Sequence, residues 1–439
     1  MRFLSTAGST EPTDFATTIF RGLAPDGGLY YPDSVPDLSG LFETIFQEQP
    51  SFSQLAARVL GALLEPPAGE ADWQRIAEEA FPFAPALRRL GERLWLLELF
   101  HGPSCAFKDF GASFLATVFD RLLSETGRRS VVLTATSGDT GSAVAQAFAG
   151  KEHIDVVILY PSGRVSPLQE KQLTTVGGNV HAVELEGSFD DCQRLVKESF
   201  ADPPLGVSLT SANSINLGRL LPQSLYYIDA AARLAQRDHA EAPVFVVPSG
   251  NFGNLTAGVY AALWGLPVAA FVAATNRNDV VPAYLERGRF EPRSSVRTMS
   301  NAMDVGNPSN FDRLLAAFGG DWQRMRSMIL GCRVDEDRTA DTIRRFYETS
   351  GELHDPHTAV GFAAAEQLGQ ERLLNRAPTV VLGTAHPGKF AEVIREVTGE
   401  TPEIPDRLRR VLDLPKKASR LGNSLSELRA FLQDLSARA

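Results

Sequence analysis

The chain has 439 residues, with 53 acidic and 43 basic side chains and a formal net charge of −10. That length accommodates two or three cooperating domains, and the acidic balance argues against a general nucleic-acid or anionic-membrane binder. Hydrophobic residues at 44% and charged residues at 22% are globular proportions, and three cysteines without paired spacing argue against a disulfide framework or a zinc site.

Residues 1–95 read as an N-terminal subdomain of helices and turns, with Pro25-Asp26-Gly27-Gly28 as a turn. The start has no apolar run of signal-peptide length, and no stretch is long enough to span a bilayer. A reduced, cytoplasmic protein is expected. From about residue 92, β-rich runs (94–99, 130–135, 155–160, 181–185, 244–247, 268–274 and 379–382) alternate with helical patterns (142–148, 189–200, 220–236 and 254–263). Such alternation predicts α/β architecture with mostly parallel sheets flanked by helices. Ligands of such folds sit beyond the carboxyl ends of strands, where loops turn into helices.

Several stretches at those turns carry chemistry. FHGPSCAFKDFG (100–111) places Lys108 among Phe107, Phe110 and, further on, Phe114. Desolvation there disfavours the ammonium form and supplies the neutral amine that Schiff-base chemistry needs; a lysine snorkelling from a helix start is the alternative. Cys105 reads as a small packing residue. TATSGDTG (134–141) offers hydroxyls and amides to a carboxylate, or a capped helix start. SANSINLGR (211–219) offers neutral donors and the fork of Arg219, which suits phosphate oxygens or a surface salt bridge. VPSGNFGNLTAG (247–258) is a Gly-rich strand-to-helix turn where backbone amides approach an anion closely. SNAMDV (300–305) has no chemical role legible in its residues. His354 and His357 are separated by Asp355-Pro356, which breaks helical spacing, and with no third ligand in view no metal is assigned. LGTAHPGKF (382–390) again follows a strand, and its His386 and Lys389 read either as anion contacts or as structural residues. Beyond residue 400, prolines punctuate a basic connection before a last helix, expected to start at Ser424 with Glu427 in a capping box. Its stripe is Leu425, Leu428, Phe431, Leu432 and Leu435.

Together, 100–111, 134–141, 211–219, 247–258, 300–305 and 382–390 resemble threonine synthase, in that family's motif order, and most closely its bacterial and fungal branch. The resemblance implies a pyridoxal phosphate (PLP) enzyme of fold-type II, similar to the tryptophan synthase beta chain. It implies an N-terminal subdomain (1–95), a large PLP-binding domain (96–118 with 216–400), a small α/β domain (119–215) and a C-terminal helical tail (401–439). It further implies that Lys108 is the catalytic Schiff-base lysine, that Gly250, Asn251, Phe252, Gly253 and Asn254 cradle the cofactor phosphate, and that Thr384 meets the pyridine nitrogen. Thr136, Ser137, Gly138, Asp139 and Thr140 are then the grip for the substrate carboxylate, and Asn213, Ser214 and Arg219 the grip for its phosphate. His357 is a further candidate substrate contact. Sulfhydrylase relatives carry Asn where this chain has Asp139, and an ionised Asp cannot donate a hydrogen bond. That exchange favours threonine synthase.

The expected reaction turns O-phospho-L-homoserine and water into L-threonine and phosphate, in a monomer or weak homodimer with no nucleic-acid or membrane partner. The alternative from the same residues is a PLP-dependent phospho-lyase releasing a 2-oxo acid. A dehydratase would not need the 211–219 phosphate grip.

Overall fold

The computed structural model describes residues 1–65, 72–136, 138–204, 206–236, 241–369 and 376–438. Two sheets carry the architecture. The larger has the strand order Ile329–Arg333, Ala270–Thr275, Val244–Pro248, Thr379–Gly383, Leu94–Glu98 and Ala86–Arg89. All its neighbours are parallel except the last pair. The second sheet is wholly parallel, in the order Ala418–Leu421, Val180–Leu185, Ile154–Pro161, Ser130–Ala135 and Leu209–Thr210. Central strands such as Ile154–Pro161 are buried at every position. Both faces are therefore covered, and the strands read as continuous apolar runs.

Each strand expected from the sequence forms within about two residues of its expected bounds. The expected helix 220–236 instead comprises the helix Leu217–Leu220, a 3₁₀ turn at Leu221–Gln223 and the helix Ser224–Ala235. Pro222 is the reason: it lacks an amide hydrogen, which interrupts a continuous helix. The tail also differs in detail. It adds the edge strand Ala418–Leu421, and the carboxylate of Glu427 accepts from the amide of Gly422 at 2.8 Å. The last helix, Leu425–Arg438, still lays its leucine stripe on the core of the second sheet.

The helix Lys108–Thr126 is buried at 12 of its 19 positions. Phe110 packs edge-on to Phe52 at 5.4 Å and to Tyr226 at 5.3 Å, and Phe114 stacks on Phe81 at 6.3 Å. Each buried phenylalanine contributes about 1.5–3 kcal/mol. At 100° per residue these rings turn away from Lys108. Of the three aromatics expected around the lysine, Phe107 is the one beside its amine, 5.4 Å from ring centre to Nζ. Among the described residues, no helix is long and apolar enough to cross a membrane, and no group of three or more His, Cys, Asp or Glu side chains gathers as a metal site.

Candidate active site

A cleft of about 2840 Å³ opens beyond the carboxyl ends of strands from both sheets. Single-ligand pockets run to about 1,000 Å³, so the cleft has room for a cofactor and a substrate together. Its lining includes Lys108, Thr136, Asp139, Thr140, Asn213, Ser214, Arg219, residues 250–254, His357, Thr384 and Lys389. Segments far apart in sequence thus line one cleft, although Gly138 is not among its lining residues. Ser137 lies outside the described residues.

Lys108 opens its helix with an 18% exposed side chain. Its loop is tied to the segment after strand Thr379–Gly383: the amide of Phe107 donates to Thr384 O at 2.9 Å, and that of His386 to Cys105 O at 3.1 Å. Arg407 clamps the same loop by donating to Phe100 O, His101 O and Cys105 Sγ. Cys105 sits at a φ of +58°, a conformation uncommon for a residue with a side chain. The Asp139 carboxylate lies 3.9 Å from Lys108 Nζ through one oxygen. Its other oxygen takes Lys389 Nζ at 2.7 Å and Gln169 Nε2 at 3.0 Å. Burial pushes the Lys108 amine below its ordinary value, against the pull of Asp139, while Lys389 and Arg219 push the same way as burial. For Asp139 burial works upward, but Lys389 and Lys108 outweigh it and the carboxyl sits well below the usual range. Asp109, next along the chain, accepts from the amide of Ser104 at 2.9 Å and is raised to about 6 by burial.

The loop 134–141 is organised by Thr136, whose Oγ1 accepts from the amides of Gly138 at 3.0 Å and Gly141 at 2.9 Å. Gly138 has a φ of +154°, and a Cβ there would fall 2.5 Å from Gln169 Nε2. Only glycine fits both constraints. With the Thr136 hydroxyl and the amides of Gly138 and Gly141 spent inside the loop, the Thr140 hydroxyl and the amides of Asp139 and Thr140 are the donors left for a carboxylate among the described residues.

Residues 250–254 follow strand Val244–Pro248 and open the helix Gly253–Leu263. Phe252 sits at a φ of +62°, which aims the turn. A Cβ on Gly250 would come 2.8 Å from Met303 Cα. The 300–305 segment is therefore the wall behind this loop, a role its residues did not reveal. That wall is held by Asn276 and by His357, whose Nε2 accepts from the amide of Ala302 at 3.2 Å while Nδ1 lies 2.7 Å from Asp355. His357 is thus a scaffold residue at the cleft edge. Asn254 Oδ1 accepts from Tyr226 at 2.5 Å and Tyr227 at 2.6 Å, which leaves its Nδ2 buried with no acceptor among the described residues. Asn310 repeats the pattern: Arg313 donates to its Oδ1 at 2.6 Å and its Nδ2 is buried without an acceptor among the described residues. Two unmet amide donors beside a helix N-terminus fit a bound phosphate.

The third loop is coupled to the second. Ser214 Oγ accepts from Asn251 Nδ2 at 2.6 Å, so its own hydroxyl hydrogen is available. Asn213 Oδ1 is engaged by the Thr134 hydroxyl, so its amide hydrogens are what it can offer. Arg219 is more buried than a free fork would be. Nη1 donates to Ala212 O at 2.5 Å and Nη2 to Lys108 O at 3.4 Å, while Nε is buried without an acceptor among the described residues. Burial lowers its guanidinium to about 10.

Sequence reasoning did not find Gln169, Asn310 or Arg313, and it left Lys389 between an anion contact and structure. None of these has a local signature: Gln169, Arg313 and Lys389 act through partners tens to hundreds of residues away, and Asn310 lies beside Gly253, 57 positions earlier.

A family model described as pyridoxal-phosphate dependent enzyme matches residues 79–384. Models of the threonine synthase N terminus and of the threonine synthase C-terminal region match residues 2–81 and 358–432. The threonine synthase of Haemophilus influenzae is 40% identical over 424 residues, covering 96% of this chain and 97% of its own. The crystal structure of PLP-bound threonine synthase from Brucella melitensis is 36% identical with a TM-score of 0.91, and the match covers 100% of each chain. Yeast threonine synthase also gives a TM-score of 0.91, at 31% identity, with 100% of this chain and 99% of that one covered. The chain belongs to the threonine synthase family of PLP-dependent, fold-type II enzymes.

Proposed function

We propose that this chain converts O-phospho-L-homoserine and water to L-threonine and phosphate, with Lys108 as the anchoring and proton-carrying residue. One observation carries the reading: a desolvated amine shares one cleft with two separate sets of anion donors. One set suits a cofactor phosphate and the other a substrate phosphate.

In this reading Lys108 would anchor the cofactor through its amine, residues 250–254 with Asn310 would hold its phosphate, and Thr384 would meet its pyridine nitrogen. When bound, PLP supplies the electron sink that makes the proton on the amino-bearing carbon removable. Lys108 Nζ is an amine of lowered basicity that lines the cleft. It takes that proton as a general base and holds it as ammonium beside Asp139. The 136–140 loop holds the substrate carboxylate through Thr140 and backbone amides, with Ser137 assigned there from sequence alone. Asn213 and Ser214 donate to the substrate phosphate, and Arg219 adds positive charge behind them. Anchoring at both ends orients the carbon chain so that phosphate leaves from one carbon and water adds at its neighbour.

Three buried, unbridged cysteines suit a reducing cytoplasm. A monomer or weak homodimer is the expected assembly, and sedimentation checks it. The decisive test supplies O-phospho-L-homoserine to holoenzyme and identifies the products. Threonine and phosphate in equal amounts are expected; 2-oxobutyrate in place of threonine would overturn the assignment in favour of a phospho-lyase.

A further inference from the structure

Lys389 is a fully enclosed cation near the Lys108 amine. It extends from the 3₁₀ turn Pro387–Phe390, and its side chain is 0% exposed. Its Nζ lies 2.7 Å from Asp139 Oδ1 and donates to Ser104 O at 2.8 Å. Asp139 therefore uses one oxygen for Lys389 and Gln169 and turns the other toward Lys108 at 3.9 Å. Charges face Lys108 from each neighbouring element. Asp139 comes from the helix Asp139–Phe148, Lys389 from its turn, Arg219 from the helix Leu217–Leu220, and Asp109 from the lysine's own helix. Two are positive and two negative. Burial makes each of them count for more than it would in water.

We propose that Lys389 is a positioning residue for the reaction: it shares the Asp139 carboxylate with Lys108, so that the Lys108 nitrogen has a counter-ion when it carries a proton and is not locked in that state. The inference rests on Lys108 being the cofactor-anchoring lysine. A carboxylate paired with Lys108 alone would hold the proton there. With no carboxylate, two buried lysines would repel and Lys108 would shed its proton early. The shared geometry lies between these limits. The proton that Lys108 receives stays on Nζ, and Asp139 is its counter-ion and not its acceptor.

The test is a pH titration of the visible absorbance of the bound cofactor in holoenzyme, beside the pH profile of kcat/KM. Lys389→Gln keeps hydrogen-bonding capacity but removes the charge, and is expected to raise the midpoint by about one pH unit or more. Asp139→Asn is expected to lower it by a similar amount. Lys389→Arg should restore the wild-type midpoint. A merely structural role would move neither midpoint, or would move both in the same direction; either result, read at full cofactor content, overturns the proposal. If Lys389→Gln does not fold, Asp139→Asn and Lys389→Arg decide between them: a lowered midpoint in the first with an unmoved one in the second is expected, and any other pair overturns it. Visible absorbance surviving in Lys108→Ala would instead refute the lysine assignment itself, a distinguishable failure.

Discussion

The two ends of the cleft solve different problems with different chemistry. At the amine end, Lys108, Asp139, Lys389 and Arg219 bring four charged groups into mutual range inside the protein. At the proposed phosphate end, the donors beside the loop are neutral: Asn254 Nδ2, Asn310 Nδ2 and the backbone at the start of the helix Gly253–Leu263. The cation there, Arg313, stands one layer back. It donates to Asn310 Oδ1 at 2.6 Å, to Tyr30 O at 2.8 Å and to Ile215 O at 2.6 Å. The difference follows from what each end must do. A group that gains and loses a proton needs charges close enough to set its balance. A phosphate that only needs holding is served by fixed dipoles, which do not titrate.

This contrast makes graded predictions. Lys108→Ala, at the amine end, should abolish visible cofactor absorbance and lower turnover by roughly 10³-fold or more; an unchanged spectrum would break the assignment. Gly250→Ala, at the phosphate end, forces a Cβ against Met303 Cα. Overpacking of about 1–3 kcal/mol should weaken cofactor binding roughly ten- to hundredfold, measured by titrating apoenzyme with PLP. The pH profile of the reloaded enzyme should stay where it was, and a shifted profile would blur the contrast. Asn254→Ala should weaken cofactor binding about tenfold for the loss of one donor, again with no pH shift. It should also lower the melting temperature, because the hydroxyls of Tyr226 and Tyr227 lose a shared acceptor.

The smallest effect on catalysis should come from outside the cleft. Glu184 anchors the C-terminal tail to the second sheet by accepting from Lys416 at 2.7 Å and from Ser162 at 2.6 Å. The hydrogen bond from Lys416, then that from Ser162, holds its carboxyl down to about 2. A depressed carboxyl stabilises the fold fully above its unfolded value, about 4.3. That contribution is lost as pH falls from there toward 2. Glu184→Gln should therefore lower unfolding free energy at pH 7 by about 1.5–3 kcal/mol, and by less near pH 3. Its kcat/KM at neutral pH should match wild type.

Much of this molecule is legible locally. Strands such as 154–161 announce themselves because a doubly covered strand is apolar at every position. The glycine turns stand out because backbone must approach an anion or another segment closely, as Gly250 approaches Met303. Lys108 is conspicuous as a lysine among aromatics, although the structure assigns its burial to the cleft wall and Phe107 more than to Phe110 and Phe114. What stays hidden is whatever depends on distant partners. Nothing in GKF predicts that Lys389 reaches Asp139, 250 positions earlier, and nothing in SNAMDV predicts a wall behind residues 250–254. The strand Ala418–Leu421 is invisible for the same reason: half exposed and basic, it is a strand because Val180–Leu185 offers it an edge.

The account stands or falls on which nitrogen carries the cofactor. Holoenzyme reduced with borohydride, digested and examined by mass spectrometry is predicted to carry the pyridoxyl mass on the peptide containing Lys108. The same mass on the peptide containing Lys389, on any other lysine, or on none would contradict it.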